Sequence, residues 1–418
     1  MKSTHPMLAR LLSIAFVLTC SPATAEEFGT TGLTAERLER LEQAAIAAAE
    51  SAEAREALAD ELGREFEQND APEAVRMLAA IAGGSMMGPE DGWFGPGRML
   101  YEWNWLTDLH GVAADAKIAK SNFVGEPELF KRLDRDRDGA IEASDFDWSE
   151  ENPWVQQASV VNRVFRAMDR SGDGQVARDE LENFFDDARG EADTFSPEDL
   201  RTLILGGSGE FSPGDAPTPA KLMRALFAGE IGSVHQGPEV GEQAPDFTLR
   251  TQDGSAEVHL HDAAAEKPVV LVFGNFTCGP FRRNYPEVES LYQRYKDRAS
   301  FLAVYIREAH PEDGWHMESN DAAGVKLAQP KTYAERQGVA EVCRGRIGLT
   351  MPLLVDGIDD AVGHAYSGMP SRLYVIERGG KVAYKSGRGP YGFKPGELEQ
   401  AIVLTLLAQE AQRSTATE

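Results

Sequence analysis

Residues 268–284 read PVVLVFGNFTCGPFRRN, and this stretch decides the fold of the C-terminal half of the chain. The apolar run Val269–Phe273 is typical of a strand that is buried on both faces, and Gly274 then breaks it. Residues 282–296 have helical composition, so Cys278 is predicted to lie where a strand turns into the first turn of a helix. Unpaired amide hydrogens and the positive end of the helix dipole favour a thiolate there. The stretch therefore predicts an exposed, nucleophilic cysteine.

A second apolar strand is predicted at residues 301–306. If this strand and the first are parallel neighbours, their carboxyl ends lie on one edge of the sheet, where the ligand sites of open α/β sheets are found. Tyr305, Glu308 and His310 are then expected to converge on Cys278, with Glu308 assisting His310. The alternative interpretation is a core tyrosine followed by solvated loop side chains.

The length and charge of the chain restrict the class of protein to which it can belong. A chain of 418 residues predicts two or three domains, and a formal net charge of -26 argues against a nucleic-acid partner. Residues 1–25 combine a basic start, an apolar run and small residues before the predicted cleavage point, which is typical of a signal peptide. We therefore expect export to the periplasm or the extracellular space, with a lipid anchor at Cys20 as the alternative. No later apolar run reaches membrane-spanning length.

Removal of the signal peptide leaves two cysteines, Cys278 and Cys343. In an oxidising compartment they could form a disulfide, or Cys343 could resolve an oxidised Cys278. The sequence leaves open whether the two thiols approach each other closely enough.

The remaining chain divides by composition into four regions. Helical periodicity predicts a helical region over residues 26–120, followed by a calcium-binding pair over 121–200. Gly- and Pro-rich residues begin a linker that is assigned to 206–239, and an α/β domain is predicted over 240–410.

Two twelve-residue windows match the EF-hand loop, in which oxygen atoms surround Ca²⁺ and a glycine permits a sharp turn. Their spacing predicts that the two loops pair. We expect the calcium to be structural. The predicted metal ligands are Asp134, Asp136, Asp138, Ala140 and Asp145 in the first loop and Asp169, Ser171, Asp173, Gln175 and Glu180 in the second.

The order Cys278-Gly279-Pro280 resembles the start of the thioredoxin active site, with Phe281 in place of the second cysteine. In thioredoxin-like folds a cis proline lies beside the reactive cysteine. Pro370, directly before a predicted strand, is the candidate for this proline, and Pro352 is the alternative.

Longer stretches resemble the iodothyronine deiodinase family over about residues 240–405. The matching segments are FTCGPF at 276–281, YIREAHPEDGW at 305–315, RLYVI at 372–376 and GRGPYG at 387–392. The resemblance implies an α/β thioredoxin-like fold for this domain. Together with the two EF-hand loops, it predicts a multidomain protein in which this domain follows an all-α EF-hand region. It also implies reductive removal of iodine from an aromatic ring, with Cys278 at the position of the family's selenocysteine.

The same resemblance implies roles for individual residues. Tyr305, Glu308 and His310 would relay a proton to the ring carbon, and Arg388 would hold an anionic group of the substrate. Thr277 and Pro370 are also expected to contact the substrate. The substrate would be a small molecule, such as a halogenated aromatic compound, and an external thiol or a thioredoxin-type protein would be the reductant.

Two other functions fit the same residues. In a thiol peroxidase or disulfide reductase, Cys278 would become a sulfenic acid that Cys343 or an external thiol restores. In a non-catalytic calcium-binding protein, the thioredoxin-like domain would only recognise a partner.

Overall fold

The computed structural model describes residues 33–65, 71–85, 97–149, 151–171, 175–206, 215–232, 234–389 and 391–415. The predicted signal peptide, with Cys20, lies outside the described residues. Within the described part of the chain, no helix has the length and apolar character needed to cross a bilayer.

The helices and strands are named here in chain order. The helices are α1 (Ala35–Ala48), α2 (Ala52–Glu65), α3 (Glu73–Ala82), α4 (Trp103–His110), α5 (Pro127–Leu133), α6 (Pro153–Met168), α7 (Arg178–Arg189), α8 (Pro197–Gly206), α9 (Pro219–Phe227), α10 (Leu260–Glu266), α11 (Gly279–Tyr295), α12 (Glu318–Ala322), α13 (Tyr333–Ile347), α14 (Ala361–Ala365) and α15 (Pro395–Thr415). The strands are β1 (Arg98–Met99), β2 (Ile118–Ala119), β3 (Ala140–Ile141), β4 (Thr248–Thr251), β5 (Glu257–His259), β6 (Val269–Gly274), β7 (Ser300–Tyr305), β8 (Leu353–Val355), β9 (Arg372–Ile376) and β10 (Val382–Lys385).

The N-terminal helices α1–α3 share one apolar core with α9. Leu78 and Ile81 of α3 and Leu222 and Leu226 of α9 are almost completely buried in it. The sequence predicts a linker over residues 206–239, and α9 corrects this prediction for the residues that it contains. The physical reason is that apolar side chains recur at helical spacing after Thr218, whose hydroxyl caps the helix by accepting a hydrogen bond from the backbone of Lys221.

The first of the two predicted calcium-binding loops lies between α5 and a short 3₁₀ helix. Its strand β3 pairs with β2, and Ile141 lies opposite Ile118. The structure thus pairs the first loop with the segment after α4, whereas the spacing predicts pairing with the second loop. Ile118 is buried and β-branched, so it provides an apolar partner of the kind that such a two-stranded contact requires.

The C-terminal half is built on one mixed sheet with the strand order β1-β10-β9-β6-β7-β8-β4-β5. Strands β6 and β7 are parallel over their full length, from Val269 opposite Ser300 to Gly274 opposite Tyr305. Helix α11 connects them. The predicted parallel pair is therefore present, and its carboxyl ends share one edge of the sheet.

Candidate active site

Cys278 lies between the end of β6 and the start of α11, at the N-cap position of the helix. Its backbone amide donates a hydrogen bond to Asn275 Oδ1 at 3.0 Å. A Cβ atom at Gly274 would collide with the ring of Phe281, so the last residue of β6 must be glycine for the first turn of α11 to pack so closely. The strand, loop and helix predicted around the cysteine are all present.

The thiol itself is buried, with only 1% of Cys278 exposed, and this corrects the expectation of an exposed nucleophile. Burial raises the pKa of Cys278, and it outweighs the Phe281 amide, the Ser371 hydroxyl and the charges of Arg282 and Arg283, which act in the opposite direction. The Ser371 hydroxyl lies 4.0 Å from the sulfur. The sulfur is covered but has polar and cationic neighbours, so it is not sealed in hydrocarbon.

The Glu308 carboxylate lies directly behind the nucleophile loop and is fully buried. It accepts hydrogen bonds from the amide and the hydroxyl of Thr277, at 2.9 and 2.8 Å, and a third from the Tyr305 hydroxyl. Tyr305 in turn accepts from the amide of Phe276 at 3.1 Å. Burial raises the pKa of Glu308, although these hydrogen bonds oppose the shift. Tyr305 and Glu308 therefore form one buried unit that holds the residue before the cysteine.

His310 reaches the same loop through its backbone, whose amide donates to Thr277 Oγ1 at 3.0 Å. Its ring Nδ1 lies 3.1 Å from the carbonyl oxygen of Trp315, and the two rings meet edge to face. Because a carbonyl only accepts, Nδ1 carries the proton and Nε2 is the basic nitrogen. Burial lowers the pKa of His310 to about 4. The residue that orients the imidazole is thus Trp315, which corrects the expected assistance from Glu308.

Asn275 organises the loop, and the sequence interpretation missed it. Its Oδ1 accepts from the amides of Cys278 and Ala309 at 3.0 and 3.1 Å. Its Nδ2 donates to the carbonyl of Pro370 at 2.9 Å, and the peptide bond between Met369 and Pro370 is cis. A polar amide at the end of a fully buried strand is the signal that could have revealed it, because such a group must be hydrogen-bonded inside the protein.

Arg388 does not face an open site. It is almost completely buried, and Glu73 of α3 forms an ion pair with it at 3.0 Å. Glu73 also pairs with Arg372 at 3.4 Å. This corrects the expectation that Arg388 holds an anionic group of the substrate, because a carboxylate of the chain already neutralises the guanidinium group.

Cys343 lies on α13 and is buried, and both it and Cys278 are free thiols. Burial raises the pKa of Cys343. In this structure the two cysteines form no disulfide with each other.

The first calcium loop has the chemistry of a hard-cation site. Oxygen atoms of Asp134, Asp136 and Asp138 lie within 4.8 Å of one another. Asp134 Oδ1 is buried without a hydrogen-bond partner, and burial together with the other two charges raises the pKa of Asp134. A divalent cation would satisfy that oxygen and balance the three carboxylates, so these residues fit Ca²⁺.

The carboxylate at the last position of each loop accepts two backbone hydrogen bonds from within that loop. Asp145 accepts from the amides of Arg135 and Glu142, both at 2.9 Å. In the second loop, Glu180 accepts from the amides of Ser171 and Ala177 at 2.8 and 2.9 Å. Each carboxylate thus connects a residue near the start of its loop to a residue near the end of the loop. Of the other predicted ligands in the second loop, Asp173 lies outside the described residues.

Comparison with known protein families finds matches in two parts of the chain. Residues 218–404 match the family described as iodothyronine deiodinase. Residues 128–147 and 161–185 match the EF hand. These matches confirm both predicted resemblances, and the first begins at α9.

Two curated relatives and one solved structure illustrate the likeness. The chain is 34% identical over 203 residues to thyroxine 5-deiodinase of Gallus gallus, covering 46% of this chain and 77% of that protein. It is 33% identical over 194 residues to type II iodothyronine deiodinase of Rattus norvegicus, covering 42% and 72%. The thioredoxin domain of a thiol-disulfide oxidoreductase from Bacteroides vulgatus is 19% identical, with a TM-score of 0.26, over 37% of this chain and 91% of that structure.

Proposed function

The chain belongs to the iodothyronine deiodinase family, and we propose on this premise that it removes a halogen reductively from an aromatic substrate, with Cys278 as the nucleophile. It is an oxidoreductase enzyme with a thioredoxin-like domain and an EF-hand region. The observation that carries the proposal is the position of Cys278 at a helix start, beside a loop held by Glu308 and Tyr305 and reached by His310.

The chemistry proceeds in two steps. In the first, the thiolate of Cys278 attacks the iodine of an aryl iodide, the carbon–iodine bond breaks, and the ring carbon takes a proton. The products are the dehalogenated ring and a sulfenyl iodide on the enzyme. In the second, two equivalents of an external thiol, or one dithiol of a thioredoxin-type protein, restore the Cys278 thiol, and a disulfide, iodide and one proton are released.

We assign the proton movements of the first step to groups that are linked to the nucleophile loop. Because burial raises the pKa of Cys278, a base must take its proton when the substrate binds, and the neutral Nε2 of His310 is suited to that role. The Tyr305–Glu308 unit, linked to Thr277, holds the nucleophile loop and can supply the proton that the ring carbon takes. The substrate would lie between Thr277 and Pro370.

The EF-hand region serves stability in this proposal. Asp134, Asp136 and Asp138 would hold Ca²⁺ in the first loop, and Asp169 and Glu180 would contribute to the second. The cation neutralises the crowded carboxylates there. The basic and apolar pattern of residues 1–25 supports export to the periplasm or beyond, where calcium is abundant.

Iodide release from an iodinated phenol in the presence of a dithiol tests the function. We expect Cys278→Ser to abolish release and Cys343→Ser, the matched change at the other buried thiol, to retain it, because an external dithiol takes the place of any resolving cysteine. Iodide release that survives Cys278→Ser would refute this site. Rapid peroxide consumption by Cys278 without any iodide release would favour a thiol peroxidase instead.

A further inference from the structure

Arg282 is a half-buried cation in the first turn of α11. Its backbone amide donates to the carbonyl of Cys278 at 3.2 Å, and its guanidinium contacts the loop that carries the nucleophile. In that loop Nη1 donates to the carbonyl of Phe276, and a Cβ atom at Gly279 would lie 4.0 Å from Nη2. The guanidinium thus contacts the chain on both sides of Cys278.

Asn320 of α12 fixes the guanidinium in this position. Its Oδ1 accepts a hydrogen bond from Arg282 Nη2 at 2.8 Å, and its Nδ2 donates to the carbonyl of Thr277 at 2.9 Å. Asn320 is buried, and the buried carboxylate of Asp215 accepts hydrogen bonds from two backbone amides in the first turn of α12. The nucleophile loop, Arg282 and α12 are therefore connected by one set of hydrogen bonds.

Arg282 differs from the more deeply buried arginines because it has no carboxylate partner. Arg336 pairs with Asp360 at 2.7 Å, and Arg372 pairs with Glu73 at 3.4 Å. The side chain of Arg282 donates to a backbone carbonyl and an amide oxygen, and among the described residues no carboxylate forms an ion pair with it. Removing a cation from water without a counter-charge costs free energy, and burial accordingly lowers the pKa of Arg282.

Three groups can place negative charge near this guanidinium. The ionised Cys278 has the largest effect on it, followed by Cys343 on α13 and by Glu308. Burial raises the pKa of Cys343, and Glu308 already accepts three hydrogen bonds from other groups. Burial also raises the pKa of Cys278, and the charges of Arg282 and Arg283 oppose that shift. The ionised nucleophile is therefore the counter-charge that best fits Arg282.

We propose that Arg282, fixed by Asn320, is a positioning residue that stabilises the negative charge of the Cys278 thiolate. This inference rests on the proposed function, in which Cys278 is the nucleophile. A cation near the sulfur favours the thiolate over the thiol, and its effect is greater where burial has removed the screening by water. The same charge acts on the assigned base: burial lowers the pKa of His310, and the charges of Lys221 and Arg282 act in the same direction.

The test measures the electrostatic potential at the sulfur with two alkylating reagents of similar size, neutral iodoacetamide and anionic iodoacetate. In each reaction the thiolate displaces iodide and forms a sulfur–carbon bond, and mass spectrometry of the peptide that contains Cys278 gives the rate in the full chain. A positive charge near the sulfur raises the iodoacetate rate relative to the iodoacetamide rate. Arg282→Gln should lower this ratio roughly threefold. Arg294→Gln removes the same charge near the other end of α11 and should leave the ratio unchanged.

The ratio separates an effect of charge from an effect of structure. If Arg282→Gln only loosened the loop, both reagents would react faster and their ratio would stay the same. Arg282→Lys keeps the charge, so its ratio should stay close to that of the wild type. Asn320→Asp places a carboxylate against the guanidinium without changing the shape of the side chain, and it should lower the ratio as Arg282→Gln does. This variant decides the point if Arg282→Gln fails to fold.

Alkylation needs no turnover, so it separates this inference from the proposed function. A wild-type protein that is alkylated at Cys278 but releases no iodide would contradict the proposed function, and the ratio would still decide the role of Arg282. An unchanged ratio in a folded Arg282→Gln protein would overturn the inference, as would an equal fall in Arg282→Gln and Arg282→Lys. A Cys278 that neither reagent modifies at alkaline pH would also overturn it, because the folded protein would then form no reactive thiolate.

Discussion

Replacement of Thr277 by valine removes a hydroxyl at the centre of the site while keeping its shape. That hydroxyl donates to Glu308 at 2.8 Å and accepts from the amide of His310 at 3.0 Å. The lost bond to a carboxylate is worth roughly 1.5–3 kcal/mol, and the amide left without a partner costs roughly 1–3 kcal/mol more. We therefore expect Thr277→Val to lower the free energy of unfolding of this domain by about 4 kcal/mol. Thr277→Ser keeps both bonds and loses one methyl group, at about 1 kcal/mol.

Domain-specific unfolding can be followed through the thiols. In a protein that lacks residues 1–25, the remaining cysteines are Cys278 and Cys343, and both are buried in the C-terminal sheet domain. Pulsed alkylation across a urea series thus reports this domain and not the EF-hand region. If the free energy of unfolding falls by about 2 kcal/mol per molar urea, the unfolding midpoint of Thr277→Val should lie about 1.5 M below that of Thr277→Ser. Coincident midpoints would refute the hydrogen-bond network assigned to Thr277.

Two further predictions concern pH and calcium. Burial lowers the pKa of His310 to about 4 and raises that of Cys278. The rate of iodide release should therefore increase with pH above neutrality and show no break near pH 6.5. A break near pH 6.5 that disappears in His310→Gln would contradict the assigned neutral state of the imidazole. Chelation of calcium should lower the melting temperature of the wild type, because Asp134, Asp136 and Asp138 repel one another without a cation, and it should lower that of Asp134→Asn much less. The exposed Asp193→Asn is the control and should respond to chelation as the wild type does.

Local patterns were sufficient for much of the fold and for part of the site. The apolar run of β6, the break at Gly274 and the helix after Cys278 follow from a few neighbouring residues, and so does the parallel strand β7 that brings Glu308 to the same edge. The aspartates of the first calcium loop have a fixed spacing, and this spacing alone predicts a site for a divalent cation. These features depend on residues close together in the chain.

The features that sequence reasoning missed depend on distant residues, on tertiary packing or on backbone atoms. Glu73 and Arg388 are separated by 315 positions, and nothing near either residue indicates the other. The burial of Cys278 likewise depends on tertiary packing, which a helix-start pattern does not contain. The partner of His310 is a backbone carbonyl, and a carbonyl leaves no mark in the amino-acid sequence. Ile118 was missed as the partner of Ile141 because its segment lacks the row of acidic residues that identifies a calcium loop.

Strand β1 gives the N-terminal region a second role. Arg98 and Met99 lie opposite Lys385 and Tyr384, so the outermost strand of the C-terminal sheet comes from a segment that precedes both calcium loops. An isolated fragment that begins near residue 240 would keep the hydrogen bonds between Val382 and residues 241–242, but the rest of this edge of β10, up to Lys385, would be open. Open edges invite intermolecular strand addition and aggregation. Recombinant work on the catalytic half therefore needs the upstream residues, either in the same polypeptide or added as a separate complementing peptide.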